Sequence, residues 1–177
     1  MTGWLLYSEK DIEKNKAYID FYMDEGLKLG VQIILIVTEQ LKFGIKNNTC
    51  FITYSDEEVS MPDFAICRTI YPLLNKQLEY MGVKVFNNSD VAEICNDKAK
   101  TYQSIACLGI PIIDTEFYRS SMVEEVMRNI KGPSVIKSVD GHGGNQVFLI
   151  ESNDSTNVDK AKINHQLSKS DVVLQPL

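Results

Sequence analysis

Lys137 closes a short run rich in β-branched residues, Pro133-Ser-Val-Ile-Lys137, and a glycine loop, Gly141-His-Gly-Gly144, follows it directly. A second apolar run, Val147-Phe-Leu-Ile150, comes after the glycines, so the stretch reads as a β-hairpin that turns at Asp140-Gly141. A lysine inside a strand is unfavourable unless its ammonium meets an anion, and glycines let backbone N–H groups come close to phosphate oxygens. Strand, lysine and loop together describe a cradle for a polyphosphate. The same stretch also fits an exposed hairpin whose lysine faces water, and the rest of the chain has to decide.

Other residues are weaker candidates. His142 sits in the loop, where an imidazole can touch a phosphate or simply face solvent. Arg68 ends the strand candidate Asp63–Cys67, and open α/β sheets bind ligands outside the carboxyl ends of their strands. It suits a carboxylate substrate or an ordinary surface position. The four cysteines, Cys50, Cys67, Cys95 and Cys107, are far apart, and the only histidines are His142 and His165, which argues against zinc and for a reducing, cytoplasmic setting.

Composition narrows the class. Of the 177 residues, 44% are hydrophobic and 24% charged, with a net charge of −6. A soluble globular protein without the basic face that nucleic acid requires is expected. The longest apolar run, near Val31–Val37, is far short of the roughly 20 residues that span a bilayer. Early charges at Glu9-Lys10-Asp11 argue against a secretory signal.

The elements that must carry these residues follow from periodicity. Trp4–Tyr7 reads as a strand, and Ile12, Ile19, Tyr22, Met23 and Leu27 mark a helix before Gly30. Val31–Val37 reads as a central parallel strand because it is apolar almost throughout. A small hairpin is expected over 43–54 and an acidic loop over 55–62. Asp63–Cys67 reads as a strand, Leu73–Met81 as a helix and Val83–Phe86 as a strand. Asn87–Asp90 offers caps for a helix over 91–95, and Asp97 opens a longer one that Gly109 stops. Ser120 or Ser121 is expected to cap a helix reaching Ile130. After the hairpin come a polar stretch over 151–157, a helix over 158–167 and a last strand, Val172–Leu174. The pattern changes near Asn96, which divides the chain into residues 1–96 and 97–177. The first part lacks the Gly-x-Gly-x-x-Gly turn of a dinucleotide site, having Tyr7-Ser8-Glu9-Lys10 instead, and no P-loop occurs anywhere.

Taken in order, Gly82–Asn87 with Asn96-Asp-Lys98, Leu108-Gly-Ile-Pro111 with Thr115, Pro133–Lys137 with the glycine loop, and Val173-Leu-Gln175 resemble the ATP-grasp carboxylate–amine ligases, within them the RimK-like glutamate ligase group. The match runs over roughly residues 60 to 177. The resemblance implies an α/β fold: a Rossmann-like pre-ATP-grasp domain with an open parallel sheet over 1–96, then the α+β N-terminal lobe of an ATP-grasp domain over 97–177. By resemblance Lys98 and Lys137 reach ATP phosphates from two sides, Gly141, His142, Gly143 and Gly144 fold over them, and Gln175 meets adenine at the hinge of the family's two lobes. Lys98 alone would read as an exposed helix lysine. None of these residues is assigned a catalytic role.

The resemblance implies an ATP-dependent ligase, with glutamate as one candidate amino acid by family analogy, that joins a carboxylate to an amine through an acyl phosphate. The family's magnesium ligands are expected beyond Leu177, since the acids Asp140, Glu151 and Asp154 correspond to none of them. The chain then reads as a fragment; the alternative is a naturally short, non-catalytic nucleotide-sensing module. No nucleic acid or membrane partner is expected, and a homo-oligomer stays open. On this reading the purified chain binds nucleotide near the millimolar end, about 4 kcal/mol, and releases no ADP when given magnesium, a carboxylate and an amine. Robust turnover that Lys98→Ala/Lys137→Ala removes would overturn it.

Overall fold

The computed structural model describes residues 1–150 and 157–177. All but the last residue of the polar stretch expected over 151–157, with its acids Glu151 and Asp154, lies outside the described residues. Two compact units divide the chain, Met1–Glu93 and Ile94–Leu177.

In the first unit, strand β1 (Thr2–Tyr7) leads through a short helix α1 (Glu9–Ile12) and α2 (Lys16–Lys28) to β2 (Gln32–Val37). The hairpin β3 (Leu41–Lys46) and β4 (Thr49–Tyr54) follows, with a two-residue strand β5 (Glu57–Glu58). Then come β6 (Phe64–Cys67), α3 (Pro72–Tyr80), β7 (Lys84–Phe86) and α4 (Ser89–Cys95). The main sheet has the order β2-β1-β6-β7, and all its pairs are parallel. β1 lies inside it because its side chains are apolar on both faces: Trp4 and Leu6 pack with Leu74 and Leu78 of α3, and Leu5 and Tyr7 pack with Ile19 of α2. Burial pushes the Cys67 thiol up to about 12, with the nearby Glu79 charge adding to it, so this cysteine is a packing residue.

Two expectations are corrected here. The Val31–Val37 run is parallel but forms the sheet edge, where Gln32 and Ile34 are exposed and only Ile36 is fully buried. The stretch over 55–62 is not all loop, since Ser55 and Asp56 turn at positive φ and deliver β5 against β4. The expected hairpin is present and longer, and it turns on Asn47 and Asn48, both at positive φ as a tight hairpin turn requires. Buried Gln77 of α3 holds it by donating to Gly44 O at 3.1 Å and Phe51 O at 2.7 Å. The N-terminus of α1 is taken as well: Glu9 N–H donates to the Glu39 carboxylate at 2.9 Å. Burial raises the Glu39 pKa, but the hydrogen bonds from the Glu9 and Glu39 N–H groups and from Thr38 outweigh it and hold the carboxyl below its ordinary value.

The second unit contains α5 (Lys98–Cys107), β8 (Glu116–Tyr118), α6 (Val123–Asn129), β9 (Ser134–Ser138), β10 (Val147–Ile150), α7 (Asn157–Leu167) and β11 (Val172–Pro176). Its sheet is antiparallel in the order β10-β9-β11-β8. Val123, Val126 and Met127 of α6 pack on one sheet face with Ile136, Ile150, Leu167 and Val172. Asp97 caps α5 as expected, accepting from Lys100 N–H at 3.0 Å. Ser120 and Ser121 do not cap α6: they lie in a 3-10 turn that precedes it, and the Ser120 N–H is satisfied by the Asp171 carboxylate at 3.0 Å. A cap supplied from a distant loop leaves no local sequence signal.

Gly26 sits inside α2, where alanine normally stabilises a helix by about 1 kcal/mol. A Cβ there would lie 2.9 Å from the Val31 carbonyl and 2.7 Å from Ile33. Gly26→Ala is therefore expected to destabilise the fold by about 1–3 kcal/mol, the usual size of an overpacked contact. Urea denaturation checks this, and a gain in stability would show that α2 is free to move away from β2.

Candidate functional site

Strand parity places Lys137. Ile136 and Ser138 of β9 are fully buried, with Ile136 in the core under α6, so Lys137 projects from the opposite face of the sheet. On β11, Val173 is the register partner of Lys137 and Gln175 lies two residues on, which brings Gln175 to that same face. Lys137 Nζ donates to Gln175 Oε1 at 2.6 Å, and Gln175 Nε2 donates to Thr115 Oγ1 at 2.9 Å. Thr115 Oγ1 in turn donates to Ile113 O at 2.7 Å. The amide orientation is determined, because an ammonium can only donate and so must face the amide oxygen. The Lys137 ammonium also lies 6.0 Å from the centre of the Tyr102 ring on α5.

Lys98 is fastened at both ends to the segment that follows β9. Its backbone N–H donates to Val139 O at 2.9 Å and its Nζ to Gly141 O. Burial lowers the Lys98 pKa, the positive charge of Lys137 lowers it further, and Asp140, Tyr102 and Asp97 oppose them without cancelling the effect. Two ammonium groups thus share one partly dry region, and the acid that acts most strongly on Lys98 is Asp140. That carboxylate accepts from Ser138 Oγ at 2.5 Å. The bonds from Ser138 and Ser170, with the Lys98 charge, hold its pKa below the ordinary aspartate value despite partial burial.

The glycines do two different jobs. Gly143 and Gly144 adopt φ of +63° and +77°, which side chains rarely tolerate. Gly141 is needed for space, since a Cβ there would lie 2.8 Å from Asn145 O. His142 is exposed and contributes its carbonyl to the turn, accepting from Asn145 N–H at 3.2 Å. Lys98, Lys137, Gly141 and Gln175 are therefore joined by hydrogen bonds and charge. Arg68 is not among them: it lies in the first unit, exposed just past β6, with its N–H on Leu6 O at 3.0 Å. Beside it in the chain, Thr69 Oγ1 is buried without a partner among the described residues, as is Tyr7 OH at the end of the adjacent β1.

Sequence reasoning gave no role to Asp140, Ser138, Tyr102 or Thr115. Thr115 stood in one of the motifs, and Asp140 flanks the glycines, but only folding shows what they touch. A wider hollow of about 610 Å³, lined by Lys42, Phe51, Met61 and others in the first unit, includes none of the candidate residues.

No family model matches the sequence. The chain is 32% identical over 136 residues to a probable alpha-L-glutamate ligase of Vibrio vulnificus, an alignment that covers 72% of this chain and 45% of that protein. Its fold superimposes on a RimK domain ATP-grasp protein from Sphaerobacter thermophilus with a TM-score of 0.71 at 17% identity, covering 100% of this chain and 64% of the other. It also superimposes on the ATP-grasp ligase PsnB, solved with a precursor variant, Mg and ADP, with a TM-score of 0.60 at 15% identity over 99% of this chain and 64% of that one. The chain thus spans less than half the length of the relative it matches by sequence. It has the fold of the ATP-grasp ligases, and in sequence it is similar to the probable alpha-L-glutamate ligase.

The depressed Asp140 pKa carries a pH signature. A carboxyl whose folded pKa lies below its unfolded value stabilises the fold above the unfolded value and loses that contribution as pH falls through the folded one. The stability difference between wild type and Asp140→Asn is expected to be full above about pH 5 and to shrink as pH falls below 3.8, the ordinary aspartate value. Denaturation midpoints across that range check it, and a difference that grows on acidification would contradict it.

Proposed function

We propose that the second unit grips the phosphates of ATP in a ligase that joins a carboxylate to an amine. The observation that carries this reading is the pair of ammonium groups, Lys98 and Lys137, held against neutral carbonyl oxygens beside a glycine loop. Burial and the neighbouring lysine both disfavour the charge on Lys98, and an incoming polyphosphate would relieve both effects. A phosphate oxygen is a stronger partner for an ammonium than an amide carbonyl is, because the bond gains full charge assistance. Lys98 and Lys137 then meet the phosphate oxygens from two sides, and the N–H groups of 141–144 cover them.

In the reaction proposed, a substrate carboxylate oxygen takes the γ-phosphoryl group and ADP leaves. The amine then attacks the acyl carbon, forming the amide and expelling phosphate. The lysines' part is to fix the phosphates in line and to neutralise charge as the bond to ADP breaks. Among the described residues no three His, Cys, Asp or Glu side chains gather to hold a metal ion. Magnesium is assigned no ligand among the described residues. Glutamate as the amino acid joined rests on the name of the Vibrio vulnificus relative. Arg68, with an exposed guanidinium at the carboxyl end of a parallel strand, is the group proposed to meet a substrate carboxylate.

Titration of the chain with ATP and magnesium tests the reading. Lys98→Ala and Lys137→Ala should each weaken binding by about 1.5–3 kcal/mol, while Arg68→Ala should leave it as it was. Binding indifferent to both lysines would overturn the proposal.

A further inference from the structure

Gln175 is held at both its oxygen and its nitrogen inside the second unit. Only 4% of its surface is exposed, its oxygen receives the Lys137 ammonium and its nitrogen is committed to Thr115. Its oxygen keeps a second lone pair, but a side chain so little exposed leaves a base scant room to reach it. Lys137 has four flexible methylene groups and no other hydrogen-bond acceptor among the described residues. What directs its ammonium is the amide of Gln175, and what directs that amide is the hydroxyl of Thr115, itself anchored on the carbonyl of Ile113. The three residues come from three separate places: the segment before β8, strand β9 and strand β11. The relay can form only when the sheet is in register.

We infer that Gln175 and Thr115 are positioning residues for Lys137, acting on the phosphate end of the ligand rather than on the base. The inference rests on the proposed nucleotide reading of the site and adds the consequence that Gln175 does not select adenine. A contact to the base would make substitutions at Gln175 specific for ATP. A relay to Lys137 would make them equally damaging for any ligand with the same phosphates.

The test is a set of NMR chemical-shift titrations of the 177-residue chain, which read affinities to the millimolar range, using inorganic tripolyphosphate, ATP and GTP with magnesium. Gln175→Met keeps the bulk of the side chain and removes its hydrogen bonds. It should weaken all three ligands by the same factor, about fivefold, the size of one net hydrogen bond. Thr115→Val should do likewise, and Thr115→Ser should restore wild-type binding, which loss of packing alone would not predict. Because Thr115 is only partly buried, its variants remain informative if Gln175→Met does not fold. A loss confined to ATP, with tripolyphosphate unaffected, overturns the relay and leaves the phosphate reading standing. If wild type binds no tripolyphosphate, or if Lys137→Ala leaves that binding unchanged, the phosphate reading itself fails and the relay falls with it.

Discussion

An ammonium half-buried on a sheet face has to meet oxygen, and the second unit is arranged around meeting that demand at Lys137. The lysine's neighbours on β9, Ile136 and Ser138, are fully buried, so a slip of one residue in register would drive the charge into the core beneath α6 and expose an isoleucine. The antiparallel pairing with β11 prevents the slip, and the same pairing supplies Gln175 as partner. The fold thus protects the core and aims the lysine by one device.

Lys98 arrives by a different route. Asp97 caps α5, the next N–H goes to Val139, and the side chain reaches Gly141, so the helix start is fastened to the root of the glycine loop. Asp140 and Ser138 brace that root from within the hairpin. The loop beyond is shaped by backbone: two glycines reach positive φ, and a third clears space for the Asn145 carbonyl. The result is a region where cations are concentrated and acceptors are mostly uncharged, the electrostatic condition for holding an anion.

The first unit has the opposite character at the position where a parallel sheet often binds phosphate. Its opening turn has no glycines, and the N-terminal N–H of α1 is already given to the Glu39 carboxylate. A phosphate there would meet a negative charge instead of free N–H groups. What this unit leaves open is the carboxyl edge of its sheet, where Arg68 stands exposed next to Thr69, and the end of β1 carries Tyr7; the buried hydroxyls of Thr69 and Tyr7 have no partner among the described residues. The two units therefore differ in what they present: a pair of ammonium groups beside a glycine loop in one, and an arginine at strand ends in the other.

Local order determined much of this in the sequence itself. Apolar runs and caps marked most of the strands and helices, Asp97 announced the start of α5, and a β-branched run ending in lysine before Gly141 marked the hairpin, because each is a property of neighbouring residues. The motifs in their order were enough to suggest the superfamily. The edge position of β2, the strand at Glu57–Glu58 and the capping of Ser120 by Asp171 were not legible, since each depends on which distant segment comes alongside. The same holds for the site. The sequence shows Lys137 and Gln175 as two polar residues in apolar runs, each equally able to face water. Only the tertiary structure decided that they share a face, because side chains alternate along a strand and it is the register between strands that sets which alternations coincide.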